Sequence, residues 1–238
     1  MKHLLPILLV FFSTFVEANI DFRNPIRNYI NIKESWNIFY EEDMQKTDPE
    51  LTKNSLIKLQ DILKKVEKSL PKQSIKKLKR LKIFLLWGEK SPKGGLKSGM
   101  RYVRQGETIT RLHYDARWEN SVVIYSAENL MYLTEMWAKK AIAHELAHAW
   151  HIMHWPEKHR AIVTPWKHAK EKNLYRNVRD YKNRIKPEAY ALKNNLEYFA
   201  ELSAMYFVGG DYFPYERRKL TKYDPEGVKM VKELWNVR

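Results

Sequence analysis

The residues best suited to chemistry lie in one short segment, which contains His144, Glu145 and His148. Residues 133–155 around it are strong helix formers without proline or glycine, so they predict a helix. On a helix the two histidines lie about one turn apart on the same face, where both imidazoles can reach one zinc ion. Glu145 projects beside that ion, where a carboxylate can take a proton from an activated water and later deliver it to a leaving amine.

A catalytic zinc site generally needs a third protein ligand, and one histidine candidate is close in sequence. His154 has the offset from His148 that metzincins use, but the glycine that turns the chain back in metzincins is replaced here by His151. On a continuous helix His154 would lie too far from His144 to share the ion. We therefore interpret His151 and His154 as rim or surface residues. His113 could line a cleft or lie in an ordinary strand or loop.

The other candidate lies in the apolar segment 194–207, whose pattern predicts a helix with Glu197 and Glu201 on one face. Carboxylates rarely lie within an apolar helix without a partner, although two solvated glutamates on a polar face would look the same. The upstream histidine motif favours a functional role. Glu197 would then be the third metal ligand, and Glu201 would accept a hydrogen bond from a ligand histidine and fix its tautomer.

The motif at 144–148, followed by the run 190–201, resembles the catalytic core of the anthrax lethal-factor-like gluzincin peptidases. The resemblance is strongest over residues 141–235. It implies that Glu197 is a zinc ligand and that Tyr190 donates its hydroxyl to the oxyanion of the tetrahedral intermediate. It also implies a compact zincin catalytic domain that hydrolyses peptide bonds. Nothing resembles the receptor-binding region of the large toxin, so a toxin function is not implied.

The elements that would position these residues indicate an α+β fold. Strand patterns occur within residues 29–40, at 83–87, at 100–104 and at 122–125, and an apolar stripe over residues 51–70 predicts a helix behind the sheet. We expect residues 19–238 to form one catalytic domain, in which 19–155 carry a small mixed sheet and the active-site helix and 156–238 are mainly helical. We assign the peptide-binding edge strand to Val122, Val123, Ile124 and Tyr125.

The first eighteen residues have the pattern of a signal peptide. Lys2 and His3 precede an apolar run, and Val16 and Ala18 suit a signal peptidase, so we predict cleavage after Ala18 and a secreted or periplasmic protein. The run is too short to cross a ~30 Å hydrocarbon core as a helix. No later stretch is long and apolar enough to do so, and we expect a mature chain without a transmembrane segment.

Composition narrows the chemistry further. The chain has no cysteine, which excludes thiol nucleophiles, zinc ribbons and iron–sulfur clusters and leaves imidazole and carboxylate as metal ligands. The formal net charge is +15, with many lysines in residues 53–104. These lysines could bind an anionic envelope surface or form a solvated helix face. They lack the aromatic and glycine pattern of an RNA-binding surface, so we expect no nucleic-acid partner. We also expect the chain to be a monomer.

Three functions are compatible with these patterns. The chain could be an active secreted zinc peptidase that cleaves peptide or protein substrates. It could instead be a catalytically silent zinc-binding homologue that docks on anionic envelope material through its basic face, or a helical domain whose motif is fortuitous. The presence of Glu145 beside both histidines favours the active peptidase, because a protein that only binds metal needs no base.

Overall fold

The computed structural model describes residues 27–111 and 114–237. The predicted signal peptide, its cleavage site after Ala18, and His113 lie outside these residues. In the part of the chain that is described, no helix combines the length and apolar character needed to cross a bilayer.

A five-stranded mixed sheet dominates the N-terminal half. Its strands in chain order are β1 (Tyr29–Lys33), β2 (Asn37–Glu41), β3 (Lys82–Leu85), β4 (Met100–Val103) and β5 (Ser121–Ile124). Their spatial order is β1-β2-β3-β5-β4, in which β2, β3 and β5 are parallel and both outer strands are antiparallel to their neighbours. The strands predicted from the sequence are thus present, and β1 and β4 form the two edges of the sheet.

Side chains alternate between the two faces of the sheet along each strand, and both faces are buried. Ile83 and Val122 point into the main hydrophobic cluster, where the helices pack. Their neighbours Phe84 and Val123 point to the opposite face, where Trp118 covers them. Burial on both sides explains why β3 and β5 are continuous apolar runs rather than alternating patterns.

The N-terminal half also contains α-helices, which lie between and after these strands in the chain. They are α1 (Glu42–Thr47), α2 (Pro49–Ser69), α3 (Lys72–Leu78), α4 (Glu107–Thr110), α5 (Ala127–Tyr132) and α6 (Glu135–His154). The carboxylate of Asp48 caps α2 by accepting a hydrogen bond from Leu51 N at 3.0 Å, and Pro49 occupies the first turn. The apolar stripe of α2 lies in the same hydrophobic cluster as β3 and β5, so the predicted backing helix is confirmed.

The C-terminal half is mainly helical, as expected. It contains α7 (Arg160–Glu171), α8 (Asn195–Phe207), α9 (Arg217–Tyr223) and α10 (Pro225–Leu234). A two-stranded hairpin of β6 (Arg176–Arg179) and β7 (Ile185–Glu188), which the sequence analysis did not predict, lies between α7 and α8. Its turn is held by Asp180, whose carboxylate accepts hydrogen bonds from Lys182 N and Arg184 N, both at 2.9 Å.

The two halves share one hydrophobic cluster. The long helix α6 packs against β4 on one side and against α8 on the other. This position between the sheet and the helical half explains why α6 is buried around most of its circumference, including at polar positions. The sheet edge, α6 and α8 therefore meet at one place, and the predicted site residues lie there.

Candidate metal centre

His144, His148 and Glu197 converge so closely that their ligand atoms form a triangle. His144 Nε2 and His148 Nε2 are 3.0 Å apart, and each lies 3.1 Å from Glu197 Oε2. His144 is buried, and the other two side chains are half-buried. This group could hold a metal ion.

The chemistry of the donor set fits such an ion. Each imidazole nitrogen presents one in-plane direction for a proton or a lone pair, so three equal contacts in a triangle cannot all be linear hydrogen bonds. Donor atoms bound at about 2.0 to 2.1 Å around a tetrahedral ion are separated by roughly 3.3 Å. The observed spacing of the three donors is close to that value, whereas a solvated cluster would have no reason to keep it.

Local structure explains why the three side chains meet. His144 and His148 are one turn apart within α6, as the sequence predicted. Glu197 lies in the first turn of α8, where the side chain of Asn194 caps the helix by accepting a hydrogen bond from Glu197 N at 2.9 Å. Since α6 packs against α8, the start of the second helix faces the histidine pair.

Glu201 lies one turn after Glu197, and it orients the buried histidine. His144 Nδ1 lies 2.8 Å from Glu201 Oε1, so the proton on Nδ1 is donated to the carboxylate and Nε2 faces the ligand triangle. Burial acts to lower the pKa of His144, but hydrogen bonds to Glu197 and Glu201 outweigh it and raise the pKa to about 10.

A buried lysine extends this network, and the sequence analysis missed it. Lys140 Nζ donates to Glu201 Oε2 at 3.0 Å and to Asp211 Oδ1. Burial acts to raise the pKa of Glu201, but the charge of Lys140 and the hydrogen bond from His144 lower it to about 2. The signal was present in the sequence, because Lys140 lies four residues before His144 on the same helix face.

Glu145 lies beside the triangle and is held by the edge of the sheet. Its Oε2 accepts a hydrogen bond from Tyr102 N at 2.7 Å, and only 9% of the residue is exposed. Because Tyr102 directs its N–H to Glu145, the backbone of β4 faces the site at this residue, away from β5.

The predicted assignment of the peptide-binding edge strand is wrong. Val122, Val123 and Ile124 belong to β5, which is hydrogen-bonded to β3 on one side and to β4 on the other. Tyr125 follows β5, and its N–H donates to Gly99 O at 3.0 Å. The segment therefore has no open edge for a peptide. Its apolar composition reflects burial inside the sheet, and the edge strand next to the site is β4.

Tyr190 lies at the mouth of the site, in a short 3-10 turn (Tyr190–Leu192). Its hydroxyl donates to Glu197 Oε1 at 3.0 Å and accepts from Lys193 Nζ, also at 3.0 Å. The side chain is 45% exposed. Burial of the ring together with the charge of Glu197 raises the pKa of Tyr190 well above its ordinary value, so the phenol keeps its proton.

A cavity of about 320 Å³ opens over these groups. It is lined by β4 and the residues after it, by the histidine face of α6, and by the start of α8. The lining residues are Met100, Arg101, Tyr102, Arg104, Arg111, His144, Glu145, His148, Ile152, Tyr190, Lys193, Asn194, Leu196 and Glu197. The predicted ligands, base and tyrosine thus share one cleft.

The other histidines of α6 are not part of the triangle. His154 Nδ1 donates to Trp150 O at 2.8 Å and its ring lies tilted against that of Trp150, so it is turned away from the ligands as expected. His151 is fully buried against Phe199, with Nε2 3.2 Å from Pro156 O, so its interpretation as a rim residue is wrong. The helix stays continuous through residue 154 and packs His151 inward, where a metzincin would have its turn.

The chain matches no family model, no curated protein and no solved structure. The case for a function therefore rests on the arrangement of these residues.

Proposed function

We propose that this chain is a zinc-dependent metallopeptidase of the gluzincin type. The observation that carries the proposal is the convergence of His144, His148 and Glu197 on one point, with Glu145 beside them in an open cleft. Two histidines and one carboxylate are the donor set of several catalytic zinc sites. The proposal includes a zincin arrangement, in which a sheet edge lies along the helix that carries the histidines.

Zinc suits this donor set better than calcium or magnesium, which prefer oxygen ligands. When bound, zinc would act as a Lewis acid that polarises the peptide carbonyl and makes water more acidic. Glu201 prepares His144 for this role by holding its Nδ1 proton, which leaves Nε2 directed at the ion. The remaining chemistry falls to side chains of the chain itself.

Glu145 is the proposed base. Its carboxylate takes the proton of the attacking water and then delivers it to the departing nitrogen. The hydrogen bond from Tyr102 N holds one carboxylate oxygen and leaves the other to exchange the proton. Nothing else among the described residues that line the cleft has this position, because the only other acid there, Glu197, belongs to the ligand triangle.

Tyr190 is the proposed oxyanion donor. Its raised pKa keeps the hydroxyl protonated, and the group already lies at the ligand triangle through its bond to Glu197. Rotation of the hydroxyl about its C–O bond would redirect that hydrogen bond from Glu197 toward the developing oxyanion. A donor aimed at the site where charge develops stabilises the transition state more than the substrate.

The substrate would lie along β4 rather than β5. An extended peptide adds to an open sheet edge through backbone hydrogen bonds, and β4 is the edge that borders the cleft. The backbone of Tyr102 faces the site. A peptide paired with β4 would therefore pass directly over Glu145. Export after cleavage at Ala18 remains part of the proposal, and N-terminal sequencing of exported protein would test it.

The proposal is tested by metal analysis together with cleavage of an unbiased peptide library. We expect the purified protein to contain about one zinc per chain. Glu145→Gln should keep the zinc and lose at least about a hundredfold in cleavage rate, because the base is removed. Glu171→Gln, on the exposed face of α7, is the matched control and should cleave like the wild type.

Each other outcome has a distinct meaning. Equal cleavage by wild type and Glu145→Gln would show that the proposed base is wrong. Zinc without cleavage would favour the silent homologue that docks on anionic envelope material. A protein that binds no zinc would remove the metal site and leave a helical domain with a fortuitous motif.

A further inference from the structure

The cleft is lined by four cations, none of which is a proposed metal ligand, base or oxyanion donor. Arg101, Arg104 and Arg111 line it on the side of β4, and Lys193 lines it on the side of α8. We call these four residues the rim. Each guanidinium side chain is about one-third exposed, and the lysine is 56% exposed. The rim is therefore accessible to a ligand in the cleft.

The three arginines are grouped around a single carboxylate. Arg101 Nε lies 3.1 Å from Glu107 Oε1, Arg111 Nε lies 3.4 Å from the same oxygen, and Arg104 Nε is 3.9 Å from Oε2. The Glu107 side chain is only 6% exposed. One buried carboxylate thus groups the three guanidinium side chains at one place beside the cleft.

Arg101, Arg104 and Lys193 carry three positive charges, and few described acids offset them. A zinc ion would be balanced by Glu145 and Glu197. Glu107 offsets one arginine, and Glu157, at the outer side, contacts Arg104 Nη1. Glu107 and Glu157 therefore offset two of the three charges on Arg101, Arg104 and Lys193, and one remains. The overall charge of +15 does not by itself require this, because most lysines lie far from the cleft.

Arginine is the side chain best suited to a carboxylate. Its planar guanidinium presents five N–H groups and can bind a carboxylate through two parallel hydrogen bonds. Arg101 turns Nε and Nη2 toward Glu107, which holds the plane of the guanidinium in a defined orientation at the cleft. Lys193 also lines the cavity as a more flexible point charge, and its Nζ donates to the hydroxyl of Tyr190 at 3.0 Å.

We propose that the rim selects acidic peptides, with Asp or Glu side chains next to the bond that is cleaved. This proposal rests on the proposed peptidase function and specifies its substrate class. Acidic side chains on one side of the bond would meet the arginines, and those on the other side would meet Lys193. Basic peptides would be repelled from both sides.

The test uses a fluorescent peptide in three versions that differ only beside the cleavable bond, with Glu, Gln or Lys. We expect wild type to cleave the Glu version with kcat/KM about tenfold higher than the Lys version at low salt, since half-exposed charge contacts have modest strength. The ratio should shrink as ionic strength rises from about 0.05 to 0.5 M. Arg104→Glu combined with Lys193→Glu should reverse the order.

A matched control places the same charge change elsewhere. Lys229→Glu, on the exposed face of α10, should leave the preference unchanged. Zinc content and thermal unfolding identify rim variants that fail to fold, and Arg104→Gln with Lys193→Gln, a milder pair, should abolish the preference without reversing it. Equal or faster cleavage of the Lys version by wild type overturns the inference.

Binding separates this inference from the proposed function. The zinc-loaded Glu145→Gln protein should bind the Glu peptide about tenfold more tightly than the Lys peptide by fluorescence anisotropy. If no peptide is cleaved but this preference is found, the peptidase function fails and acidic recognition stands. If peptides are cleaved and Glu145→Gln binds all three equally, the peptidase stands and the selective rim is rejected.

Discussion

The two sides of the candidate metal centre differ in how their charges are arranged. The inner wall, which consists of Lys140, His144, Glu201 and Asp211, is almost fully buried. Within it, cations and carboxylates alternate at hydrogen-bond distance. The rim, by contrast, is partly exposed and consists of four cations, three of which are grouped around the single carboxylate of Glu107.

This difference follows from solvation. A charge removed from water must find its partner within the protein, so every group of the inner wall is paired. A charge on the rim keeps much of its hydration and can remain in excess. The inner wall should therefore determine stability and the orientation of the metal ligands, while the rim should determine what binds.

Substitution of Lys140 should give the largest effect on stability. Lys140→Met removes the buried cation that Glu201 and Asp211 share and leaves them, among the described cations, only His144 and the partly exposed Lys186, so we expect the free energy of unfolding to fall by about 3 kcal/mol. Urea denaturation measures it. Lys186→Met is the control: Lys186 Nζ lies 3.4 Å from the other oxygen of Asp211 but is 36% exposed, so its loss should cost less than about 1 kcal/mol. Similar losses for both variants would contradict the comparison.

Tyr190→Phe should affect catalysis much more than stability, because Tyr190 lies at the mouth of the cleft. We expect kcat to fall by about a hundredfold to a thousandfold, as for the loss of one oxyanion donor. Zinc content and the unfolding midpoint should stay nearly unchanged, because the ring is 45% exposed. Steady-state kinetics with the best library peptide measures the first quantity. A loss of zinc would instead indicate that Tyr190 serves mainly to hold Glu197.

His151 isolates the effect of burial from the effect of a carboxylate partner. Like His144 it is buried on α6, but burial without an acid partner lowers its pKa to about 4. The unfolded chain, with a pKa of about 6.5, binds a proton that the folded chain excludes between these values. Stability should therefore fall as pH falls from about 6.5 to 4 and change no further below, by at most about 3 kcal/mol from this residue.

The check for His151 is the difference between two proteins, because carboxylates titrate in the same range. Unfolding of metal-free wild type and His151→Gln should be measured across pH 4 to 7. The variant should have the shallower dependence on pH. Parallel curves would show that His151 does not contribute to acid sensitivity.

Glu201→Gln should have the smallest of these effects, and it connects the inner wall with the metal. An amide orients His144 less strongly than a carboxylate, so zinc affinity should fall about 10-fold to 100-fold. Competition with a chelator measures the affinity. Glu157→Gln, which changes a 56% exposed carboxylate on the outer side of the rim, should leave zinc affinity unchanged. Equal zinc affinity of wild type and Glu201→Gln would mean that packing alone orients His144.

Much of the centre could be predicted from the sequence because its parts are local. The spacing of His144 and His148 sets their geometry within one helix, and the same holds for Glu197 and Glu201. The α+β class, the backing helix and most strands follow from apolar periodicity in the same way. These features depend on residues that are close together in the sequence, so the sequence is enough to predict them.

The tertiary structure decided what depends on residues that are distant in sequence. An apolar run such as 122–125 predicts a strand but not its neighbours in the sheet. Only the spatial order of the strands shows that β4, and not β5, is the edge. Lys140 finds Asp211 only because α6 is packed against the C-terminal half. The grouping of three arginines around Glu107 likewise depends on how β4 ends and α4 begins. Helical spacing is a property of a segment, whereas sheet order, burial and charge balance arise only when segments pack together.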